Sequence, residues 1–379
     1  MLTKLEHYGI RDNLLKWFES YLTDRKQYVF LNGSSSDLKD LSCGVPQGSV
    51  LGPLLFLIYV NDLPNVSKIL TFYLFADDTN IYFESDNAKD LEFTINKELR
   101  HLKLWLNVNR LALNIKKTHF VVFRTPNKKL CQKITLKFGK KAISQRKSVK
   151  YLGLTIDEHI NWKEHISNIC KKVGRSIGIM YRLRKYMGPQ LLVNIYYSLI
   201  YSHLIYGIEV WGSACVTSIH KILILQKKVA RLITNNDNFQ MPLGPLTPCD
   251  PLFKQLFILK IDDIFKQKVS AFIYRSFSSS LPSTFNDWFT NIHMIHDHTT
   301  RSCKNVEVEN YFDVGSVNCI NSLYSEKSRL INYGDKSLRI CGPLIWNDIP
   351  LDIRNETSLK SFNLNFKKYL CNSYVDEHC

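Results

Sequence analysis

The chain has 379 residues, of which 45% are hydrophobic and 12% aromatic, and its formal net charge is +16. This composition excludes a disordered chain and indicates two or three folded domains. The longest apolar run near the start, 50–60, is too short to cross a bilayer. No secretory signal pattern opens the chain, so an intracellular protein is expected. Its ten cysteines include no Cys-x-x-Cys pair, which argues against a zinc ribbon and a disulfide framework.

The hydrophobic pattern predicts helices interspersed with short strands. Residues 1–30 are predicted as one helix ending near residues 23–25, and Ser49 is predicted to begin another that runs to about Val60. Two strands, 70–75 and 79–83, are predicted to form a hairpin, followed by an amphipathic helix over 86–107. Further along, the pattern predicts strands at 119–123, 134–138 and 149–156, helices at 161–187 and 190–206, and a Pro/Gly-rich linker at 241–248.

The positive charge is concentrated in one part of the chain. Residues 116–185 contain 19 Lys and Arg but only three acids, so this window alone accounts for a charge of +16. Such a concentration indicates binding to a polyanion through its phosphates. A merely solubilising surface is the alternative, although mixed charges would solubilise equally well.

Two adjacent carboxylates, Asp77 and Asp78, follow the first strand of the predicted hairpin. In an extended strand they would point to opposite faces, whereas at a hairpin tip they can converge on one side. Carboxylates of this kind hold Mg²⁺ together with substrate phosphates. Taken alone, Asp-Asp is better explained by turn chemistry, because Asp favours turns.

The surrounding motifs favour the metal interpretation. The chain reads Gly44-Val-Pro-Gln-Gly-Ser-Val-Leu-Gly-Pro-Leu-Leu-Phe56, then Tyr59-Val-Asn-Asp-Leu63, then Phe75-Ala-Asp-Asp78. In this order the motifs resemble the reverse transcriptase of non-LTR (LINE-type, jockey-like) retrotransposons, here N-terminally truncated. Leu113-Asn-Ile-Lys-Lys-Thr118 and Val149-Lys-Tyr-Leu-Gly-Leu154 resemble the next motif and the primer-gripping hairpin of that family.

The resemblance implies an α+β fold. It comprises an incomplete right-hand polymerase palm of antiparallel strands and helices, a mainly helical thumb and a mixed C-terminal region. The implied domains are a partial palm (1–125), the end of the palm with a primer-grip-like hairpin (126–160), the thumb with the helices after it (161–240), and a C-terminal region of undefined role (241–379).

The resemblance also implies a catalytic site. Asp77 and Asp78 would hold two Mg²⁺ ions, with Mn²⁺ as a possible substitute, and Asp77 would be the more critical. The implied substrate-binding residues are Gln47 and Gly48 for the incoming nucleotide and template, Ala76 beneath the primer end, and Lys117 at the triphosphate. The implied nucleic-acid contacts are Tyr151, Leu152 and Gly153 in the primer grip, and Lys163, Lys171, Lys172 and Arg175 on the thumb.

One family feature has no match in this sequence. The family places a further aspartate on a strand upstream of the Gly44 motif, and no acid before Gly44 follows a strand-like apolar run. We therefore expect Met1 to be an internal methionine or the chain to be a remnant, with loose metal binding and weak or absent polymerisation.

The expected partners are an RNA template, a DNA primer and deoxynucleoside triphosphates. No association with a membrane is expected, and the sequence does not indicate the oligomeric state. The resemblance suggests the nucleus and the cytoplasm. Two alternatives stay open: a catalytically inactive nucleic-acid-binding remnant of the same element, and a group II intron-type maturase.

Overall fold

A computed structural model of the chain describes residues 1–41, 44–46, 48–128, 133–234, 248–278, 280–290, 322–325 and 334–374. Its internal contacts divide the chain into two units, Met1–Lys147 and Ser148–Cys379. The boundary falls inside the predicted segment 126–160, so the hairpin that resembles a primer grip lies in the second unit. Most of the linker predicted at 241–248 lies outside the described residues.

The first unit alternates helices with two-stranded sheets. All of these strand pairs are antiparallel except β7 with β10, which is parallel. Its elements are α1 (Leu2–His7), α2 (Asp12–Leu22), β1 (Arg25–Gln27), β2 (Phe30–Leu31), β3 (Ser34–Ser35), β4 (Lys39–Leu41), α3 (Leu51–Val60), a 3₁₀ turn (Leu63–Val66), β5 (Thr71–Phe75), β6 (Asp78–Tyr82), α4 (Ala88–Val108), β7 (His119–Phe120), β8 (Lys137–Phe138), β9 (Lys141–Ala142) and β10 (Ser144–Gln145).

The single helix predicted over residues 1–30 is wrong, because α1 and α2 are separate. Gly9 has a φ of +87° at the end of α1. The amide of Gly9 donates to the carbonyl of Glu6, and that of Ile10 to the carbonyl of Leu5, each at about 3 Å. These two bonds form a Schellman motif, which ends a helix at a glycine in the left-handed conformation.

Two small cores stabilise the first unit. Leu5, Phe18 and Leu55 bring α1, α2 and α3 together. The second core is formed around α4 by Leu63, Leu99, Leu102, Ile134, Leu136 and Ile143. Buried apolar side chains of this kind supply most of the free energy that favours folding.

Lys4 connects the start of this unit to the end of α3. Its ammonium donates to the Tyr59 carbonyl at 2.6 Å and to the Asp62 carboxylate at 2.7 Å. The Tyr59 hydroxyl donates in turn to the carbonyl of Asn109, just beyond α4. Tyr59 and Asp62 of the Tyr59–Leu63 motif therefore act as structural ties.

The second unit is mainly helical and contains the largest core, which includes Trp211, Trp346, Tyr196 and Phe253. Its elements are β11 (Ser148–Tyr151), β12 (Leu154–Asp157), α5 (Lys163–Leu183), α6 (Pro189–Tyr196), a π-helical turn (Tyr197–Tyr201), α7 (Ser202–Ile205), α8 (Ile208–Trp211), α9 (Val216–Thr234), α10 (Asp250–Gln255), α11 (Ile261–Phe277), a 3₁₀ turn (Ser283–Phe285), α12 (Leu338–Asn347), α13 (Leu351–Arg354) and α14 (Leu359–Asn372).

The expected mixed α+β class is confirmed at this coarse level, since helices occur together with small and mostly antiparallel sheets. Within the described ranges, no helix has both the length and the apolar character needed to cross a membrane.

Candidate nucleic-acid and metal site

Asp77 and Asp78 lie at the tip of the β5–β6 hairpin. Phe75 pairs with Asp78 across the antiparallel register, which leaves Ala76 and Asp77 as a two-residue turn. Strand β6 therefore begins at Asp78, one residue earlier than predicted. Both carboxylates are exposed to solvent. The hairpin thus presents two adjacent acidic side chains at a single solvent-exposed point.

The turn holds Ala76 in an unusual backbone conformation. Its φ is +52°, a region that residues with a Cβ rarely adopt. Glycine is the residue that two-residue hairpin turns favour at such positions. Conformations of this kind persist only where the surrounding structure imposes them, and they occur often at functional sites.

The carboxylates of Asp77 and Asp78 fit a divalent cation only as part of a larger ligand set. Mg²⁺ requires hard oxygen ligands and is commonly held by one or two carboxylates together with substrate phosphates. Across the described part of the chain, no cluster of three His, Cys, Asp or Glu side chains could hold a metal ion by itself. The pair is therefore suited to a site that the substrate completes.

The Gly44–Ser49 loop precedes α3 and has an open backbone. Gly44 and Gly48 have φ values of +86° and +81°, and a Cβ on either would meet no atom of the described residues within 4 Å. Ser49 Oγ donates to the carbonyl of Pro46 at 2.8 Å and accepts from the amide of Gly52 at 3.1 Å. The loop is thus fixed to the start of α3 while Gly48 stays exposed; Gln47 lies outside the described residues.

Lys117 is exposed in a turn before β7. Its amide donates to the carbonyl of Asn114 at 3.0 Å, and Thr118 Oγ1 donates to the same oxygen at 2.9 Å. These bonds fix the backbone while the ammonium remains in solvent. No hydrogen bond or ion pair of the described residues joins Lys117 to Gly48 or to the Asp77–Asp78 tip.

Tyr151, Leu152 and Gly153 lie at the turn of the β11–β12 hairpin. Tyr151 pairs with Leu154, and both residues between them have positive φ, +42° for Leu152 and +85° for Gly153. This backbone corresponds to the tight turn whose twist matches that of antiparallel strands. The predicted grip residues therefore occupy one well-defined turn.

Tyr206 braces this turn from the region after α7. Its hydroxyl donates to the carbonyl of Leu152 at 2.5 Å. A Cβ on Gly153 would lie 2.9 Å from the Tyr206 ring, and one on Gly207 would lie 3.1 Å from the Leu154 side chain. Both glycines are thus required by close packing as well as by their positive φ.

His165 joins the same hairpin to helix α5. Its Nδ1 accepts from the amide of Thr155 at 3.2 Å, and its ring makes an edge contact with the buried Trp211. Burial lowers the pKa of His165 from its usual 6.5, and the nearby Lys172 adds to this effect. The neutral imidazole is the form that can accept the Thr155 hydrogen bond.

Asp157 positions the beginning of α5. Its carboxylate accepts from the backbone amides of His159, Asn161 and Trp162 at 3.0–3.2 Å. Ile160 and Trp162 both have positive φ, and these hydrogen bonds offset the strain of that conformation. Asp157 thus connects the end of β12 to α5.

Helix α5 carries a basic face. Its buried side includes Ile166, Val173 and Met180. The predicted nucleic-acid contacts on this helix are all exposed: Lys163, Lys171, Lys172 and Arg175. Arg184, just beyond the helix, lies over the ring of the exposed Tyr181 at 4.4 Å. Basic side chains beside an aromatic ring suit contact with a phosphate backbone and its bases.

Sequence reasoning missed the supporting roles of Asp157, His165 and Tyr206. A usable signal was the acid directly after a strand in Asp157-Glu-His-Ile-Asn161, because such an acid can accept from successive amides of a turn. The contact of Tyr206 with Leu152 joins residues 54 apart in the chain, which local patterns do not reveal.

The comparisons with known proteins agree with these motifs. Residues 1–156 match the family described as reverse transcriptase (RNA-dependent DNA polymerase). That match includes the Gly44–Ser49 loop, the Asp77–Asp78 tip and the turn at Tyr151–Gly153. The part of the chain that carries these motifs is therefore similar to reverse transcriptases.

The chain is also similar to curated proteins named as RNA-directed DNA polymerases of mobile elements. The chain is 30% identical to the RNA-directed DNA polymerase from mobile element jockey of Drosophila melanogaster, over 57% of the chain and 24% of the relative. It is 29% identical to the probable RNA-directed DNA polymerase from transposon X-element of the same fly, over 58% and 25%. For jockey of Drosophila funebris the identity is 28%, over 58% and 25%.

The resemblance to jockey-like non-LTR elements is thereby confirmed. The chain spans about a quarter of the length of these relatives.

Proposed function

We propose that this chain acts as an RNA-directed DNA polymerase that extends a DNA 3′-hydroxyl on an RNA template with deoxynucleoside triphosphates. The observation that carries the proposal is the exposed pair Asp77 and Asp78 at a hairpin tip inside the region that matches reverse transcriptases. The names of the similar proteins, RNA-directed DNA polymerases of mobile elements, support the same substrates.

Each residue would contribute by position and charge. Asp77 and Asp78 would hold two divalent cations, Mg²⁺ or in its place Mn²⁺, together with the triphosphate. Bound cations of this kind activate the 3′-hydroxyl and neutralise the charge on the leaving pyrophosphate. Ala76 leaves room beneath the primer end, Gln47 and Gly48 position the nucleotide and template, and Lys117 contacts phosphates.

The second unit would hold the nucleic acid. The turn at Tyr151–Gly153 contacts the primer strand, and the basic face of α5 follows the template–primer backbone without reading its sequence. In this proposal residues 1–125 form the palm, 126–160 its end with the grip hairpin, and 161–240 the thumb with the helices after it.

Primer extension tests the polymerase activity. The purified chain is given an RNA template with an annealed DNA primer, Mg²⁺ and deoxynucleoside triphosphates. We expect weak extension that Asp77→Asn abolishes, because the substitution removes a charged metal ligand from the tip. Asp86→Asn, a change at another exposed aspartate, should leave extension unchanged. Extension that is equally strong in Asp77→Asn would refute the assigned role.

The basic face of α5 favours one alternative, a nucleic-acid-binding protein without polymerase activity. Extension absent from the wild-type chain, combined with binding that depends strongly on salt, would support this alternative. For either function, the logarithm of the affinity should fall linearly with the logarithm of salt concentration.

Substitution of a lysine on α5 tests this shared binding surface. Lys171→Gln should reduce the slope of the salt dependence by about 1 by removing a phosphate contact. Lys360→Gln changes the net charge equally at an exposed site on α14 and should not affect the slope. Affinity that does not change between low and moderate salt would contradict both functions.

A further inference from the structure

The second unit contains a polar cavity whose lining includes none of the residues assigned to catalysis or to nucleic-acid contact. Its volume is about 400 Å³. It lies where α11 and α14 meet the π-helical turn and α8. Its charged lining consists of Lys268 and Arg275 on α11, Lys367 on α14, and Glu209 on α8. The lining therefore carries three cations and one anion.

Lys367 is held in an unusual setting for a cation. Its ammonium donates to the hydroxyl of Tyr197 at 3.0 Å and lies 4.3 Å from the centre of the Phe257 ring. The Tyr197 hydroxyl donates its own proton to the carbonyl of Phe257. Burial lowers the pKa of Lys367. Within the described ranges, no carboxylate pairs with this ammonium.

A partly buried ammonium without a counter-charge is costly, because desolvation disfavours its charged form. The aromatic rings and the phenol offset part of this cost through cation–π attraction and one hydrogen bond. The ammonium has three donors, and the contacts to Tyr197 and Phe257 engage only one of them in a hydrogen bond. An anion in the cavity would supply the missing charge.

Lys268 and Arg275 are seven residues apart on α11, which places them on the same face of the helix. Neither forms an ion pair with any residue that the structure describes, and Glu209 does not pair with them. Within the lining, the Gln267 amide donates to the backbone carbonyl of Asn363 at 2.9 Å and fixes α11 against α14. The cationic side chains therefore line a cavity whose helices are held in place.

We propose that this cavity binds a phosphate group, with Lys367 and Arg275 as its main ligands and Lys268 as a third cation. A guanidinium matches two phosphate oxygens at once, whereas an ammonium acts as a point charge. The phosphate could come from a nucleic-acid backbone or from a free phosphate ion. The inference does not depend on polymerase activity, since it concerns residues to which the proposed polymerase function gives no role.

Isothermal titration of the full chain with inorganic phosphate, and separately with a single-stranded oligonucleotide, tests the proposal. Lys367→Met and Arg275→Met should each weaken binding by about tenfold, because each removes a charge-assisted hydrogen bond. Glu209→Gln should strengthen binding, since it removes the one anion from the lining. Weakened binding of the oligonucleotide would identify a backbone phosphate, and an effect on inorganic phosphate alone would identify the free ion.

Lys368→Met is the matched control, because Lys368 adjoins Lys367 but is exposed and does not line the cavity. It should leave both affinities unchanged. The gain in Glu209→Gln cannot result from misfolding, so it keeps the test decisive if a lysine variant is unstable. The proposal is overturned if the Lys367 and Lys368 variants weaken binding equally, or if Glu209→Gln has no effect. Binding by neither ligand would also overturn it, whatever the outcome of primer extension.

Discussion

Gly153 shows how one residue can be constrained by both its backbone and its neighbour. Its φ is +85°, and a Cβ there would lie 2.9 Å from the Tyr206 ring. Gly153→Ala should therefore lower the free energy of unfolding by about 2 kcal/mol or more, through left-handed strain and overpacking. Tyr206→Phe should cost about 1 kcal/mol or less, because it removes only the hydrogen bond to Leu152. Urea denaturation measures both changes.

The control for Gly153→Ala is Gly174→Ala, which should change the stability in the opposite direction. Gly174 lies within α5, has ordinary helical φ, and a Cβ there would meet no atom within 4 Å in the part of the chain that the structure describes. Gly174→Ala should stabilise the chain by about 0.5–1 kcal/mol, the usual gain of alanine over glycine in a helix. Equal effects at the two glycines would show that the Tyr206 contact does not constrain the turn.

At the scale of elements, the end of α4 stores strain at Arg110. The φ of Arg110 is +52°, and the amide of the following Leu111 donates to the carbonyl of Leu106 at 2.8 Å. This is the same type of helix end as at Gly9, but with an exposed arginine at the left-handed position. Arg110→Gly should raise the free energy of unfolding by about 0.5–1 kcal/mol, because glycine adopts this conformation without a steric penalty.

The preceding residue provides the control for Arg110→Gly. Asn109 is buried, and its side chain donates to the carbonyl of Trp105 at 2.9 Å. Asn109→Gly should therefore lower the free energy of unfolding. Urea denaturation measures this change and that of Arg110→Gly. Loss of stability in both variants would show that the extra freedom glycine gives the unfolded chain outweighs any relief of strain at Arg110.

Sequence patterns predicted the helices and strands that are determined by residues close together in the chain. The apolar periodicity of α4, the alternation in β5 and β6 and the clustered bases of α5 can all be seen in the sequence, and each element formed near its predicted position. The Asp77–Asp78 tip belongs to this group, since its hairpin follows from adjacent residues. The β7–β10 pair is parallel and joins strands distant in sequence, which periodicity does not specify.

Features that depend on particular side-chain contacts were not predicted. Ile160 and Trp162 adopt positive φ, although neither has a side chain that favours it, because the Asp157 carboxylate binds the amides around them. The bond between Tyr206 and Leu152 likewise depends on how α7 and the hairpin pack. In the candidate site, therefore, local patterns indicated the exposed tip at Asp77 and Asp78 and the basic face of α5, but not the contacts that support the turn at Tyr151–Gly153.

At the scale of the whole molecule, the net positive charge and the burial of histidines should both reduce folding stability when the solution is acidified. The chain already carries +16 with its 11 histidines neutral, so each proton taken up adds to its self-repulsion. Burial lowers the pKa of His165 and of His203 below 6.5, and Lys172 adds to the shift of both. Near pH 6.5 these two histidines therefore bind protons more readily in the unfolded chain than in the folded chain.

The stability of the second unit should consequently depend on pH in a defined direction. Well above pH 6.5 both histidines are neutral in the folded and the unfolded chain, so their contribution is fully present. As the pH falls below 6.5, the unfolded chain binds protons first and the free energy of unfolding decreases until the pH reaches the lower folded pKa values. In addition, protonation of His165 at Nδ1 breaks its bond from the Thr155 amide. Thermal melting between pH 7.5 and 5.5 should show this loss.

His165→Asn separates this mechanism from general acid destabilisation. The Asn side-chain oxygen can accept the Thr155 amide in place of Nδ1 but does not titrate in this range. The variant should therefore melt with a smaller dependence on pH than the wild type, whatever its absolute stability. His7→Asn replaces a histidine outside the second unit and should retain the wild-type dependence. If His165→Asn has the same pH slope as the wild type, the buried imidazole is not the source of the acid sensitivity.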